Sequence, residues 1–262
     1  MDNSKINDLG DELYTALRAQ QTLAPLTERE PDISIDDAYH ISLRMVSRRV
    51  DDDGEKIIGK KIGVTSSAVQ EMLGVFQPDF GFLTDRMVYA NSASIPIQNN
   101  LIQPRAEAEI AFILKQDLVG PNVTEADVLQ ATDCILPCFE IVDSRIRNWE
   151  IKIQDTIADN ASCGVYVLGD ARVDPRDFNL PELHIKVQKN GKFLSEGLGS
   201  AVQGNPLTAV AWLANTLGKY DIPFNAGDVI LSGSLVPLEP VAAGDELTLE
   251  LAGVGNASVK FL

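Results

Sequence analysis

Short apolar runs in the last two-thirds of the chain constrain the fold more than any other feature. Each run is rich in β-branched and aromatic residues, and turn signals such as Asn190-Gly191 separate the runs. The runs are 107–114, 135–142, 163–168, 183–189, 229–232, 247–251 and 257–262. A clear helical segment, 206–218, interrupts them, with Pro206 near its start and Gly218 at its end. Because strands and helices do not alternate, the sequence predicts an α+β fold with a mixed, β-rich core rather than a parallel Rossmann sheet.

The N-terminal part of the chain has a different pattern. Apolar residues recur at helical spacing over 4–20, and Ser34 with Asp37 has the S-x-x-D spacing that caps a second helix. A chain of 262 residues is long for one domain and short for two. The sequence therefore predicts an N-terminal helical region over 1–55 and a β-rich catalytic domain over 56–262.

Charge and cysteine usage restrict the partners and the compartment. The net charge of −16 would repel a phosphate backbone or an anionic membrane surface, so we expect neither nucleic acid nor a membrane as a partner. An anionic substrate would need a local cation to hold it. The three cysteines lack disulfide or zinc spacing, the N-terminus is too acidic for a signal peptide, and no apolar run reaches ~18 residues. The sequence therefore predicts a cytoplasmic protein.

Three glutamates in strand-like runs form the strongest local signal. Glu107 and Glu109 are two residues apart, so they share one face of a strand and repel each other unless a cation lies between them. Glu140 lies in the apolar run 135–142, where an isolated ionised carboxylate would be costly. Three carboxylates without a nearby histidine or cysteine ligand are typical of a site for Mg²⁺ or Mn²⁺.

The same residues have a simpler interpretation. Glu107 and Glu109 are also compatible with a solvated strand face, while Glu140 pairs with Arg105 or Arg145. Spacing alone favours this alternative, because the sequence does not show that the two strands are neighbours.

Two lysines and an aspartate lie in the segment that precedes these runs. Lys60 and Lys61 are consecutive in a predicted strand, so we expect one to face solvent and the other to point inward, where it could stabilise an anion or donate a proton. The alternative, slightly favoured by this segment alone, is that both lysines face solvent at the end of a strand. A short helix is predicted over 66–75. Proline and glycine then predict a turn over 77–81, in which Asp79 is either a turn residue or a general acid or base.

Several motifs in fixed order resemble one enzyme family over nearly the whole chain. They are GKKIGVTS, QPDFGFLTD, IQPRAEAEIAF, FEIVDSRI, DTIADNASCGVYVLG and GDVILSGSLVPLEPVAAGD. The combination resembles the 2-hydroxypenta-2,4-dienoate hydratases (2-oxopent-4-enoate hydratases) of aromatic meta-cleavage pathways. This group includes the 4-oxalocrotonate decarboxylases and has the fumarylacetoacetate hydrolase-like fold. The resemblance implies that fold, with the small helical region as an N-terminal appendage.

The resemblance also implies an activity and a set of residues. The activity is metal-dependent addition of water to a C5 or C6 2-hydroxyalka-2,4-dienoate, giving a 4-hydroxy-2-oxo acid in aromatic or steroid-ring catabolism. The implied residues are Glu107, Glu109 and Glu140 as metal ligands for Mg²⁺ or Mn²⁺, Lys61 and Asp79 as catalytic groups, and Ser162, Ser232, Gly233 and Ser234 around the substrate. The related decarboxylases tend to lack the aspartate of the turn, so Asp79 favours a hydratase.

Two alternatives follow from the same resemblance. One is a decarboxylase of the 4-oxalocrotonate type, acting on 2-oxo-3-enedioates, and the other is a non-catalytic partner subunit of such a decarboxylase. Intact Lys61, Asp79 and the three glutamates argue against a purely structural role. For partners, the resemblance implies a small dienol carboxylate as substrate, a homo-oligomer, and a complex with a 4-oxalocrotonate decarboxylase.

Overall fold

The computed structural model describes residues 1–66, 70–71, 75 and 77–262. The predicted helix over 66–75 includes residues outside these ranges. The helices of the described residues are α1 (Asn3–Ala19), α2 (Leu26–Arg29), α3 (Ile35–Asp51), α4 (Glu125–Ala131), α5 (Ile153–Ala158) and α6 (Pro206–Leu217). In the described part of the chain, no helix combines the length and the apolar character that crossing a membrane requires.

The capping of α3 shows why the N-terminal helices form where they do. The Ser34 side chain accepts a hydrogen bond from the Asp37 N–H, and the Asp37 carboxylate accepts one from the Ser34 N–H. This reciprocal pair satisfies two N–H groups that the first turn would otherwise leave free, as its spacing predicted. Inner residues of α1 and α3, such as Leu13 and Ile41, belong to the same apolar core as the strands. The boundary at residues 55 and 56 stays a prediction.

The strands of the described residues form two sheets. They are β1 (Ile57–Gly63), β2 (Asp79–Thr84), β3 (Val88–Tyr89), β4 (Ala93–Ile95), β5 (Pro104–Leu114), β6 (Thr132–Asp143), β7 (Cys163–Leu168), β8 (His184–Lys189), β9 (Lys192–Leu198), β10 (Val229–Leu231), β11 (Glu239–Pro240), β12 (Glu246–Leu251) and β13 (Gly255–Phe261). The larger sheet has the order β2-β1-β10-β5-β6-β7-β3, with β11 beside β5. The smaller sheet has the order β4-β13-β12-β8-β9.

Both sheets confirm the predicted fold class. Each of the seven predicted runs matches one strand, from β5 to β13, to within a few residues. The pairs β1–β10, β3–β7 and β4–β13 are parallel, and the other strand pairs are antiparallel, so the architecture is mixed.

The two faces of the larger sheet have different surroundings. Side chains alternate along a strand, so residues such as Phe80, Ile110 and Phe112 point to one face and enter the main core beneath the helices and the smaller sheet. The opposite face carries a smaller apolar cluster, Leu83, Met87, Ala111, Leu136, Cys138, Cys163, Tyr166, Val229 and Leu231. We call this second surface the inner face.

Candidate active site

Strand register brings the three glutamates together on the inner face. β5 and β6 are antiparallel neighbours, with Glu107 directly opposite Glu140 and Glu109 opposite Cys138. Residues opposite each other in such a pair point to the same side. One carboxylate oxygen from each glutamate lies within 4.8 Å of the others. The sequence did not show whether these two strands are neighbours, and the structure shows that they are.

Some buried oxygens of this cluster accept no hydrogen bond from the residues that the structure describes. Glu109 and Glu140 are 0% and 1% exposed. Within the described residues, Glu109 Oε1 and Glu140 Oε2 accept no hydrogen bond, and Glu140 Oε1 has an ion-pair contact with Lys61. Buried carboxylate oxygens without a donor are costly, so such a cluster needs protons or a cation. Three hard oxygen ligands with free lone pairs fit a divalent cation such as Mg²⁺ or Mn²⁺.

Lys61 lies beside the cluster, and Lys60 lies on the other side of the sheet. Lys61 Nζ is 3.2 Å from Glu140 Oε1. Lys60 forms an ion pair with Asp228 and donates a hydrogen bond to the Pro223 carbonyl oxygen at 3.1 Å. The prediction that one lysine faces solvent is therefore wrong. β1 lies between β2 and β10, and both of its faces are covered, so each ammonium has its own buried carboxylate partner.

The alternative that Glu140 pairs with an arginine is also wrong. Arg145 is fully buried and pairs with Asp159, with 2.5 Å between Nε and Oδ1. The Arg105 guanidinium lies over the Trp149 ring, 4.6 Å from its centroid. Both arginines are engaged elsewhere, and Lys61 is the cation beside Glu140.

Asp79 opens β2 instead of lying in a turn. It stands opposite Gly63 in the pairing of β1 with β2, which overturns the predicted turn from this residue onward. A methyl group at Gly63 would collide with Asp79 Oδ1 and lie 3.5 Å from Lys61 Nζ. The carboxyl group of Asp79 therefore occupies the space that a side chain at Gly63 would fill. It is 1% exposed, and its Oδ1 has no hydrogen-bond partner in the described part of the chain.

Burial and mutual repulsion raise the pKa values of the carboxyl groups. The pKa of Glu107 is raised to about 7, first by burial and then by the charge of Glu140. The pKa of Glu109 is raised well above its usual value by the same causes and by Glu107, and burial raises that of Asp79. Burial alone would lower the pKa of Lys61, but the carboxylates around it, Glu140 first, outweigh burial and raise it. Without a metal, the site therefore retains protons near neutral pH.

These shifts predict the pH dependence of stability. Between pH 4.5, the ordinary pKa of Glu107, and about 7, the folded state holds a proton that the unfolded state has lost. The free energy of unfolding of the metal-free protein should therefore fall as the pH rises through this window. Magnesium binds the deprotonated carboxylates, so it should raise the unfolding temperature more at pH 8 than at pH 5.5. Thermal unfolding with and without MgCl₂ measures both trends, and equal shifts at the two pH values would contradict the assignment.

Ser162 lies in a strained turn that holds β2. The turn Asn160–Ser162 precedes β7, and all three of its residues have φ between 50° and 54°. The Ser162 Oγ lies 3.4 Å from Asp159 Oδ2. The Asn160 side chain bonds the N–H and the carbonyl oxygen of Phe82 in β2, at 2.8 and 3.0 Å. The motif resemblance indicated Ser162 as a residue around the substrate but did not indicate Asn160, although asparagine is a residue that tolerates positive φ.

The loop after β10 orients the carboxylate of Glu109. The Gly233 N–H donates a hydrogen bond to Glu109 Oε2 at 2.8 Å. Its φ is +103°, and a Cβ there would contact Thr65, so glycine suits the position. The hydroxyls of Ser232 and Ser234 donate to carbonyl oxygens of their own loop, at 3.3 and 2.8 Å. The backbone of the loop therefore orients one carboxylate of the cluster.

Comparison with known proteins identifies relatives along the whole chain. A family model, fumarylacetoacetate (FAA) hydrolase C-terminal, matches residues 59–261. The 2-hydroxyhexa-2,4-dienoate hydratase of Comamonas testosteroni is 58% identical over 261 residues, which cover 99% of this chain and 98% of the relative. The 2-hydroxypent-2,4-dienoate hydratase of Pseudomonas putida is 63% identical over 222 residues, which cover 85% of this chain and 100% of the relative.

A solved structure matches the fold closely. It is 4-oxalocrotonate decarboxylase from Pseudomonas putida G7, complexed with magnesium and adipate. The TM-score is 0.96 at 32% sequence identity, and the match covers 100% of this chain and 99% of the decarboxylase. This chain is thus similar in sequence to hydratases and in structure to a decarboxylase crystallised with a divalent metal.

Proposed function

Because this chain belongs to the fumarylacetoacetate hydrolase family, and within it to the 2-hydroxydienoate hydratases, we propose that it is a hydro-lyase that adds water to a 2-hydroxyalka-2,4-dienoate of five or six carbons. The product is a 4-hydroxy-2-oxo acid, as in the meta-cleavage catabolism of aromatic or steroid-ring compounds. The observation that carries the proposal is the cluster of three glutamates, two of them buried, with Lys61 and Asp79 beside it, in a chain whose relatives are hydratases.

The glutamate cluster is the proposed metal site. Glu107, Glu109 and Glu140 would hold Mg²⁺ or Mn²⁺, and the magnesium in the related decarboxylase supports a divalent ion. When bound, such an ion supplies Lewis acidity toward the carboxylate and the 2-oxygen of the substrate. The chain has a net charge of −16, so a cation and Lys61 are what would draw an anionic substrate into a pocket lined with carboxylates.

Lys61 is the proposed stabiliser of negative charge. Its pKa is raised, so the ammonium keeps its proton at neutral pH, and it is only 3% exposed. A fixed positive charge in a buried site stabilises an anion more strongly than the same charge does in water. We assign Lys61 to the dienolate oxygen that gains negative charge as the 2-hydroxyl proton leaves.

Asp79 is the proposed acid and base. Conversion to the 2-oxo form requires a proton at carbon 5, and hydration then places the hydroxyl at carbon 4 and the second proton of water at carbon 3. Burial raises the pKa of Asp79, so it can hold a proton that it donates and later recovers. The oxygen Oδ1, which lacks a partner among the described residues, is free to contact substrate or water.

Replacing Asp79 with asparagine tests this assignment. Turnover should fall by ~10²–10⁴-fold, because the amide has a similar shape and cannot transfer the proton. Magnesium affinity should stay within about twofold, since Asp79 is not among the three clustered glutamates. Loss of diene absorbance measures hydration, and calorimetry measures metal binding. Asp133→Asn, at an exposed position of β6, is the matched control.

Assays of Asp79→Asn and of the wild-type protein with both substrate classes separate the proposed activity from its alternatives. Unchanged hydration in Asp79→Asn would remove this residue from the mechanism. Release of CO₂ from a 2-oxo-3-enedioate, without hydration of C5 or C6 dienols, would identify a decarboxylase, to which the fold is closely similar. No turnover of either substrate class would favour a non-catalytic partner subunit. A homo-oligomer, a complex with a 4-oxalocrotonate decarboxylase and a cytoplasmic location stay predictions.

A further inference from the structure

β2 is the end strand of the larger sheet, and a side chain pairs with one residue of its free edge. β1 pairs with one edge of β2, and no strand of the described residues pairs with the other edge. In an antiparallel strand, the N–H and the carbonyl oxygen of one residue point to the same edge. Those of Phe82 bond the Asn160 amide, at 2.8 and 3.0 Å. The side chain of Asn160 therefore takes the place of a neighbouring strand at this position.

Asn160 comes from the opposite end of the same sheet. Its turn, Asn160–Ser162, leads directly into β7, which lies next to the far end of the strand order. A Cβ at Gly81 would lie 2.4 Å from the Asn160 carbonyl oxygen and 2.7 Å from Cys163 Sγ. The start of β7 therefore rests against β2, so the sheet curls until its two ends meet. We call this contact, between residues 81–82 and residues 160–163, the seam.

Arg145 holds the turn at the seam. It is fully buried and donates hydrogen bonds to the carbonyl oxygens of Asp159 and Cys163, at 2.5 and 2.8 Å. These two residues flank the turn, whose three residues have left-handed backbone conformations. Such conformations are costly and persist only where the surroundings fix them. Asn160 is also buried, so its amide is presented to β2 in a fixed orientation.

The seam lies beside the two proposed catalytic groups. Gly81 is opposite Lys61 in the pairing of β1 with β2. Asp79 lies two residues before Gly81, so both positions are on the same face of β2. The glutamates belong to β5 and β6, which pair with each other and not with β2. A shift of β2 at the seam would therefore move Asp79 relative to Lys61 and leave the glutamates in place.

We propose that the Asn160 side chain closes the larger sheet at the seam and is a positioning residue for Asp79. Its two hydrogen bonds replace those of an additional strand, and they keep the first residues of β2 beside Lys61. This inference rests on the proposed function of Asp79 as acid and base. It assigns the two parts of the site to different supports. The β5–β6 pair holds the metal ligands, and the seam positions the group that transfers protons.

Asn160→Gly removes the amide and keeps the backbone of the turn, because glycine accepts positive φ. The kcat for hydration should fall ~10- to 100-fold, since a misplaced carboxyl group transfers protons slowly. The KM for the dienoate and the affinity for Mg²⁺ should stay within about threefold, because the metal ligands do not move. A loss of Mg²⁺ affinity as large as the loss of kcat would overturn the proposal, since it would indicate that the whole site is disrupted.

Asn215→Ala is the matched control. The Asn215 side chain, on α6, forms the same pair of bonds with one residue. It accepts from the Val123 N–H at 2.7 Å and donates to the Val123 carbonyl oxygen at 2.9 Å. Both variants should lower the unfolding temperature, but only Asn160→Gly should lose kcat per folded molecule. Unchanged kcat in Asn160→Gly, or an equal loss in both variants, would overturn the proposal, because a purely structural asparagine would behave like Asn215.

Amide hydrogen exchange of the wild-type protein tests the seam without a substrate and without a variant. The Phe82 N–H should exchange as slowly as amides inside the sheet, because Asn160 Oδ1 accepts its hydrogen bond and both residues are buried. Exchange as fast as that of an exposed loop amide would overturn the proposal. If the wild-type protein hydrates no dienoate, the proposed function fails, whereas the exchange rate alone decides whether Asn160 closes the seam.

Discussion

Glu109→Gln should abolish turnover and weaken magnesium binding by at least ~100-fold. Glu109 is fully buried, and its Oε2 is held by the Gly233 N–H at 2.8 Å, so the carboxylate cannot move aside. Glutamine keeps the shape and replaces one anionic oxygen with an NH₂ group that cannot bind a cation. Calorimetric titration with Mg²⁺ and the loss of diene absorbance measure the two effects.

Without metal, the same substitution should leave the stability of the protein unchanged or raise it. Burial and the charges of Glu140 and Glu107 raise the pKa of Glu109, so the folded protein without metal is destabilised when this group ionises. Glutamine is neutral at every pH, and Glu109→Gln should therefore unfold at an equal or higher temperature than the wild-type protein at pH 8. Glu250→Gln, at an exposed position of β12, should change neither quantity. Full activity of Glu109→Gln in metal-free buffer would refute the metal assignment.

Patterns among residues close together in the sequence were sufficient to predict most helices and strands. The Ser34–Asp37 capping box and the segment from Pro206 to Gly218 depend on residues within a few positions of each other, and both predicted helices are present. Alternating apolar runs predicted the strands for the same reason. The register that places Glu107 opposite Glu140 joins residues 33 positions apart, and no local pattern specifies it. The motif resemblance supplied that grouping.

Local sequence patterns gave wrong predictions where pairing between distant strands determines the structure. Pro78 and Gly81 have turn chemistry, but pairing with β1 draws the chain from Asp79 onward into a strand. The prediction that one of the two lysines faces solvent was wrong for a similar reason. Alternation along a strand predicts that the two side chains point in opposite directions, but it does not predict what covers each face. Lys60 and Lys61 do point to opposite faces, and each meets a buried carboxylate contributed by a strand or loop distant in sequence.

Because Lys60 and Lys61 point to opposite faces of β1, replacing each of them with methionine should affect catalysis differently. Lys61→Met should lower kcat by ~10²–10³-fold at saturating Mg²⁺, because it removes the fixed positive charge proposed to stabilise the dienolate oxygen. Without metal, the variant should also be less stable than the wild-type protein, since Glu140 loses the ammonium 3.2 Å away. Magnesium should restore part of that stability by supplying another positive charge to the carboxylates.

Lys60→Met provides the control on the opposite face. It should cost about 3–5 kcal/mol of stability, because Asp228 is left buried without its cation. Its kcat per folded molecule should stay within about threefold of the wild-type value, since Lys60 faces away from the glutamates. The double variant Lys60→Met with Asp228→Asn removes both charges and should recover much of the lost stability. A larger loss of kcat in Lys60→Met than in Lys61→Met would show that the catalytic lysine is Lys60, because charge removal is the same in both and only the face of β1 differs.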